Sequence, residues 1–412
     1  MNDRASLEDT VAAVATWIPD TALRRLRTGG LVTAAVAGVV CGIGAIWSTD
    51  QLLRSYLVAF VYWLSLGLGS LAIAMLGQVS PGGWSIVLRR TLEAGGRTIG
   101  PMAVLFLPIL LGVYRLYPWA AAGEHGGAGE HGGAHGPAHA IAAKAAYLNV
   151  PFFAVRAVLY FALWAGFAAA LSRLSRAQDR SKDPELARRL RKVSAAGLVV
   201  YCVTMTLASV DWMMSLDPAW WSTIYGVYVI GGQALSAMAF GIVAAFGIVD
   251  LGGGRVPIRA RHFHDFGKML LGLVMIWAYF ALSQIIIIYS GNLPEDIPFY
   301  AQRVRGGFRW VTLGLFVLHF ALPFALLLSR DVKRSARRLA ALAGLLLVMR
   351  WVDVYWLVAP TWSGGALSFH ILDAAAFLAV GGVWLAVFAW QLGTRPLLPL
   401  GEPLLEEAIQ HG

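Results

Sequence analysis

Residues 201–228 read YCVTMTLASVDWMMSLDPAWWSTIYGVY, and this stretch decides what kind of protein the chain is. An apolar run climbs from Tyr201 to Asp211, a polar turn follows at Ser215-Leu216-Asp217-Pro218, and Trp220-Trp221 open a second apolar run. Tryptophans beside a polar turn between two long apolar segments mark a membrane–water interface. Asp211 then falls just inside hydrocarbon depth, where an ionisable group is costly and is kept for a task.

The rest of the chain fits that setting. It has 412 residues, 58% of them hydrophobic and only 14% charged, with a mean hydropathy of +0.65. A soluble protein of this size would need far more charge to cover its surface. The apolar residues fall in runs of about 20, the length that crosses roughly 30 Å of hydrocarbon. Ten spans are predicted, near 31–47, 54–76, 99–117, 150–172, 193–214, 223–250, 266–289, 308–329, 337–358 and 369–391. The expected fold class is therefore all-α: a polytopic membrane protein with a polar segment at 1–30, a transmembrane domain at 31–391 and a tail at 392–412.

A net charge of +10 would also suit a nucleic-acid partner, but the placement of the charge argues otherwise. About 24 of the 33 Lys and Arg residues lie in the N-terminal segment, the even-numbered loops and the tail, whereas the odd-numbered loops hold Arg54, Lys144, Arg303 and Arg305. Such asymmetry predicts that both termini and the basic loop 173–192 are cytoplasmic. A surface helix is expected from Pro184. The second loop reads as a turn at Pro81-Gly82-Gly83-Trp84 followed by an interfacial piece with Arg89-Arg90. The run Val11 to Ile18 is too short to span and suits an interfacial turn of helix. The loop 120–146 contains EHGGAGEHGGAHGPAHA and is predicted to be external. Its histidines (His125, His131, His135, His139) have metal-ligand chemistry, but so much glycine reads first as a solvated loop. Cys41 and Cys202 lie inside apolar runs, and there is no CxxC or CxxCH to hold an iron–sulfur cluster or a c-type haem.

Charged and polar residues within spans are the candidates for function. Tyr201, Thr204 and Asp211 fall within about 80° of one another on one helix face. Arg156 enters at a similar depth on the fourth span, which predicts an Arg156–Asp211 pair. The ninth span carries Arg350 and Asp353 one turn apart, and His319 lies at mid-depth on the eighth with Pro323 nearby. At the cytoplasmic mouth of the seventh span stands His262-Phe263-His264-Asp265-Phe266-Gly267-Lys268, and at the external end of the tenth stand His370 and Asp373. Two readings stay open. His264, Asp265, Lys268, His370 and Asp373 flank two half-paths for protons that meet near His319 and Arg350, or all these groups are helix-to-helix hydrogen bonds and caps. A b-type haem would need paired deep histidines, and only His319 lies deep. No residue is assigned to catalysis, to a cofactor or to a metal.

Three blocks carry a family resemblance: YLNVPFFAVRAVLYFALW at 147–164, VDWMMSLDPAWWSTIYGVY at 210–228, and FHDFGKMLLGLVMIWAYFALSQIIIIYSGNLPEDIPFY at 263–300. They resemble the second NrfD-like membrane subunit of bacterial alternative complex III, a quinol:cytochrome c oxidoreductase of the electron transport chain. The resemblance implies two four-helix bundles with two peripheral helices, in the bacterial inner membrane. It implies as partners a sister NrfD-like subunit, an iron–sulfur subunit and haem c subunits. Quinol oxidation and the cofactors would belong to those partners, with a quinone nearby and a proton path as this chain's own share. Where the family often has a histidine after the Asp-Pro of the middle block, this chain has Ala219. The rival readings are a purely structural scaffold and a secondary transporter; the latter would favour Gly/Pro-broken spans at the midplane, which are scarce here.

Overall fold

A computed structural model describes residues 19–124, 137–181, 183–252, 256–294 and 296–410. The expected interfacial turn at 11–18, and the histidine loop with His125, His131, His135 and the side chain of His139, lie outside that description. Ten helices are long and apolar enough to cross a membrane: α1 (Asp20–Trp47), α2 (Thr49–Val79), α3 (Gly83–Leu111), α4 (Val150–Ser181), α5 (Pro184–Leu216), α6 (Tyr225–Gly252), α7 (Ala260–Gly291), α8 (Phe308–Leu328), α9 (Ala336–Val358) and α10 (Ile371–Leu392). No strand occurs among the described residues. The fold is all-α, as expected, because a helix alone closes its backbone hydrogen bonds within the segment that crosses lipid.

Helices α2–α5 pack on one another as one four-helix bundle and α6–α9 as a second, joined where α2 and α5 meet α6. Helix α2 is the centre of the molecule, its side chains buried almost without a break from Leu57 to Ile73. Helices α1 and α10 lie outside the bundles and pair with each other, α10 in turn resting on α2. Two glycines permit that pairing: a Cβ on Gly30 would stand 2.7 Å from the Gly382 carbonyl oxygen, and one on Gly382 would stand 2.5 Å from that of Gly30. Such small-residue contact lets helix backbones approach where lipid removes any hydrophobic drive to associate.

Local sequence explains the ends. The basic stretch 173–192 is almost wholly helical: α4 runs on to Ser181, and Asp183 accepts a hydrogen bond from the Glu185 amide at 2.9 Å to start α5, with Pro184 in the first helical position. The helix expected from Pro184 is thus the first part of α5 itself. Helix α7 ends on Asn292, whose φ of 46° is the left-handed conformation that closes a helix C-terminus.

The second loop departs from expectation. Instead of an interfacial piece, Gly83–Gly96 is a helix that is buried from Ser85 to Leu92 and packs against α2 and α10. Its arginines are buried because acids meet them. Arg89 pairs with Glu402 at 2.7 Å and Arg90 with Glu93 at 2.8 Å, Arg90 also pairs with Asp179, and Arg395 reaches Glu93 at 3.0 Å. The tail completes this clamp: Leu398, Leu405, Ala408 and Ile409 cluster with Ile86, and His262 Nε2 lies 3.0 Å from the Ala408 carbonyl oxygen.

Candidate functional site: two buried charge centres

Each bundle encloses one arginine–aspartate centre. In the first bundle, Arg156 on α4 and Asp211 on α5 form a two-pronged pair, Nε to Oδ2 at 2.9 Å and Nη2 to Oδ1 at 2.8 Å. Tyr160, one turn along α4 from Arg156, donates to the same carboxylate at 2.8 Å. The remaining terminal nitrogen of the guanidinium donates to the Tyr147 carbonyl at 3.0 Å, and its plane lies 3.9 Å from the Tyr147 ring and 4.2 Å from that of Phe152. Asp211 is fully buried. A planar arginine fork and an aromatic cage are the arrangement that offsets the cost of burying two charges.

Tyr201 and Thr204, expected on the same stripe as Asp211, do not join that pair. Thr204 accepts from Trp164 Nε1 at 2.8 Å. Tyr201 donates to Gln233 Oε1 at 2.6 Å, which ties α5 of the first bundle to α6 of the second.

The second centre gathers three helices. On α9, Arg350 Nη1 pairs with Asp353 Oδ2 across one turn. Tyr228 of α6 donates to Asp353 Oδ1 at 2.6 Å, and Trp277 of α7 donates to Oδ2 at 3.3 Å. Arg350 Nε donates to Ser236 Oγ at 3.2 Å, and its guanidinium lies flat against α6 where Gly232 has no side chain. A Cβ there would come within 2.3 Å of Arg350 Nη2. Asp353 has no exposed surface and Arg350 only 2%.

His319 stands at the edge of this centre without joining its hydrogen bonds. Its ring centroid lies 4.0 Å from that of Trp277, and neither of its buried ring nitrogens has a partner among the described residues. It sits in Leu315–Ala321, where α8 widens to a π-helical turn just before Pro323. A proline at that place removes the amide that the preceding turn would use, and π turns of this kind recur at functional positions. Trp277 therefore touches both His319 and Asp353, and its indole lies between the imidazole and the ion pair.

The outer residues of the expected half-paths do structural tasks. Asp265 accepts from Lys268 Nζ at 3.0 Å, and His264 Nδ1 lies 3.9 Å from the same carboxylate, all in the first turns of α7. His370 caps α10 by accepting from the Leu372 amide at 3.1 Å. Asp373 accepts from the His370 amide at 2.8 Å and from Ser55 Oγ at 2.6 Å. No hydrogen bond among the described residues links either group to Arg350 or Asp353.

Several residues of these centres were not singled out from sequence. Tyr160 had a usable signal, since a residue four after Arg156 shares its helix face. Tyr228, Trp277, Ser236 and Gly232 had none, because only packing brings α6 and α7 to α9. Arg303 is a further case. It lies in the short helix Ile297–Val304, is 1% exposed, and donates to the carbonyls of Phe299 (2.6 Å), Trp356 (3.1 Å) and Leu357 (2.7 Å). It thereby caps the C-terminal end of α9, the favourable place for a cation, while burial lowers its pKa to about 10.

Among the described residues, no group of three or more His, Cys, Asp or Glu is placed to hold a metal ion. In comparisons with known proteins, no family model and no curated protein matches this chain.

Proposed function

We propose that the chain is an integral membrane subunit of a quinol:cytochrome c oxidoreductase of the alternative complex III type, seated beside a sister NrfD-like subunit that oxidises quinol. The observation that carries this reading is that the three blocks of resemblance converge on the two charge centres. Block 147–164 supplies Arg156 and Tyr160, block 210–228 supplies Asp211 and Tyr228, and block 263–300 supplies Trp277. Two further contacts join the second block to the third: Ser222 donates to Gln284 at 2.6 Å, and Trp220 stacks on Phe299 with centroids 3.7 Å apart.

In this reading haem c and iron–sulfur clusters reside in partner subunits, with the quinone at or near the sister subunit. This chain's part is to anchor them and to carry protons. The centres divide that work. Arg156–Asp211 has every strong donor and acceptor engaged and acts as a clamp between α4 and α5. Arg350–Asp353 is the protonation site. Its carboxylate is shared by a tyrosine, an indole and a guanidinium, and an unpartnered imidazole stands one ring away.

Purification of the chain from its native membrane tests the assignment: haem c, iron and quinol-dependent cytochrome c reduction should co-purify. A chain that migrates without haem or an iron–sulfur protein overturns it. The proton role is tested by Arg350→Leu/Asp353→Leu, which should leave assembly and electron transfer in place and abolish proton translocation. Full translocation in that assembled variant would reduce the pair to a structural one.

A further inference from the structure

A further polar site lies at the opposite face of the molecule from the tail residues 398–409, where α2 and α10 begin and α9 ends. A cavity of about 90 Å³ opens there, lined by Gln51 and Arg54 of α2, Tyr355 of α9, Trp362 and Ser363 of the turn after α9, and Asp373 of α10. Most polar atoms around it are already engaged. Gln51 donates to Ser55 at 3.1 Å, Ser55 donates to Asp373, and the second oxygen of Asp373 takes the His370 amide. Tyr355 donates to the Ser368 carbonyl at 2.7 Å.

Two buried polar atoms are left over among the lining residues, one on Arg54 and one on Ser363. Arg54 makes no hydrogen bond or ion pair with any described residue, and its Nε is buried without a partner. Its guanidinium carbon lies over the face of Trp362, 5.5 Å from the ring centroid. Ser363 Oγ is likewise buried without a partner. Asp373, the one acid among the lining residues, does not neutralise Arg54, since its two oxygens are turned to Ser55 and His370, and Asp50, one turn back on α2, is paired with Arg115.

We infer that this cavity binds a phosphate-type oxyanion, held by the Arg54 guanidinium and the Ser363 hydroxyl. The guanidinium fork matches the oxygens of a phosphate and a hydroxyl completes the cradle. An orphaned buried donor is costly, and an anionic acceptor removes that cost at both groups together. The volume suits a single tetrahedral anion rather than a ring system. Arg54 lies five residues into α2, about 8 Å along the helix from its start, with the tryptophan of an interfacial belt beside it. A cation beside a tryptophan near the end of a span is the usual composition of a headgroup region, so the anion has two sources: the phosphodiester of a lipid headgroup or free phosphate.

The full-length chain in a neutral detergent provides the test, with binding followed by thermal stability during titration at constant ionic strength. The probes are dihexanoyl phosphatidylglycerol and inorganic phosphate, with chloride as the control. Stabilisation by the short-chain lipid alone assigns the site to a headgroup, and stabilisation by inorganic phosphate assigns it to the free ion. In either case Arg54→Gln should raise the apparent Kd at least tenfold, and Ser363→Ala two- to fivefold. If the Arg54→Gln chain does not accumulate, Ser363→Ala carries the comparison. No response to either probe beyond that to chloride overturns the inference, as does an unchanged Kd in the variants.

Discussion

The hydroxyl of Tyr228 lies 2.6 Å from Oδ1 of Asp353, so a carboxylate on α9 is held from α6 as well as by the arginine on its own helix. The contact joins residues 125 positions apart in sequence and turns an intrahelical ion pair into a junction of the second bundle. Removing the hydroxyl as Tyr228→Phe leaves Oδ1 buried with no donor, at a cost of about 1–3 kcal/mol. The expected outcome is a lower unfolding temperature of the purified protein with the helical content retained. A Tyr228→Phe protein as stable as the parent would show that the bond contributes nothing net.

Gly232 should tolerate no side chain. A Cβ would stand 2.3 Å from Arg350 Nη2, and 2.4 Å from its Cζ, so the guanidinium must leave Ser236 and Asp353. Gly232→Ala is expected to cost about 3–5 kcal/mol, as breaking a buried ion pair does, and to lower the amount of folded protein in the membrane. Gly232→Ala combined with Arg350→Leu/Asp353→Leu should recover most of that loss, since the clash and both charges are then gone.

In the first bundle, Arg156→Leu strands the Asp211 carboxylate with Tyr160 as its only side-chain donor among the described residues. The expected penalty is again about 3–5 kcal/mol. Replacing both partners with leucine should cost clearly less than Arg156→Leu alone, and a double-mutant cycle on thermal stability measures the difference. Equal losses in the single and double variants would contradict the clamp.

The tail is predicted to be a packed element. Glu402 accepts from Gln178 at 3.2 Å as well as pairing with Arg89, and Glu402→Gln removes the charge that neutralises a buried arginine. Limited proteolysis should then cut the chain after residue 395 at least several-fold faster than in the parent. Cleavage at the parent rate would mean that the apolar contacts with Ile86 hold the tail alone.

Side-specific labelling tests orientation. With Cys41 and Cys202 replaced, a cysteine at position 180 and one at position 407 should react from the same side, and a cysteine at position 305 from the other. The distribution of Lys and Arg predicts that the side bearing 180 and 407 is the cytoplasmic one. Labelling of 180 and 305 from one side would break the ten-span arrangement.

The sequence by itself determined the number and order of the spans, because hydrocarbon demands runs of a set length and charge outside them. It also determined the Arg156–Asp211 pair, since two opposite charges at similar depth in adjacent spans have few other partners in lipid. Arg350 and Asp353 were legible for a simpler reason, being one turn apart on a single helix. What surrounds them was decided by tertiary structure alone. Tyr228, Trp277 and Gly232 are ordinary residues of apolar helices until the packing of α6, α7 and α9 brings them to Asp353 and Arg350. The same holds at the opposite end of the chain's charge pattern. Arg89 and Arg90 read as surface residues because an arginine is costly to bury, and only folding supplies Asp179 from α4 and Glu402 from the tail to neutralise them. Periodicity and composition report each helix against its solvent, whereas a buried charge is settled by whichever distant side chain reaches it, and that information exists only once the helices are packed.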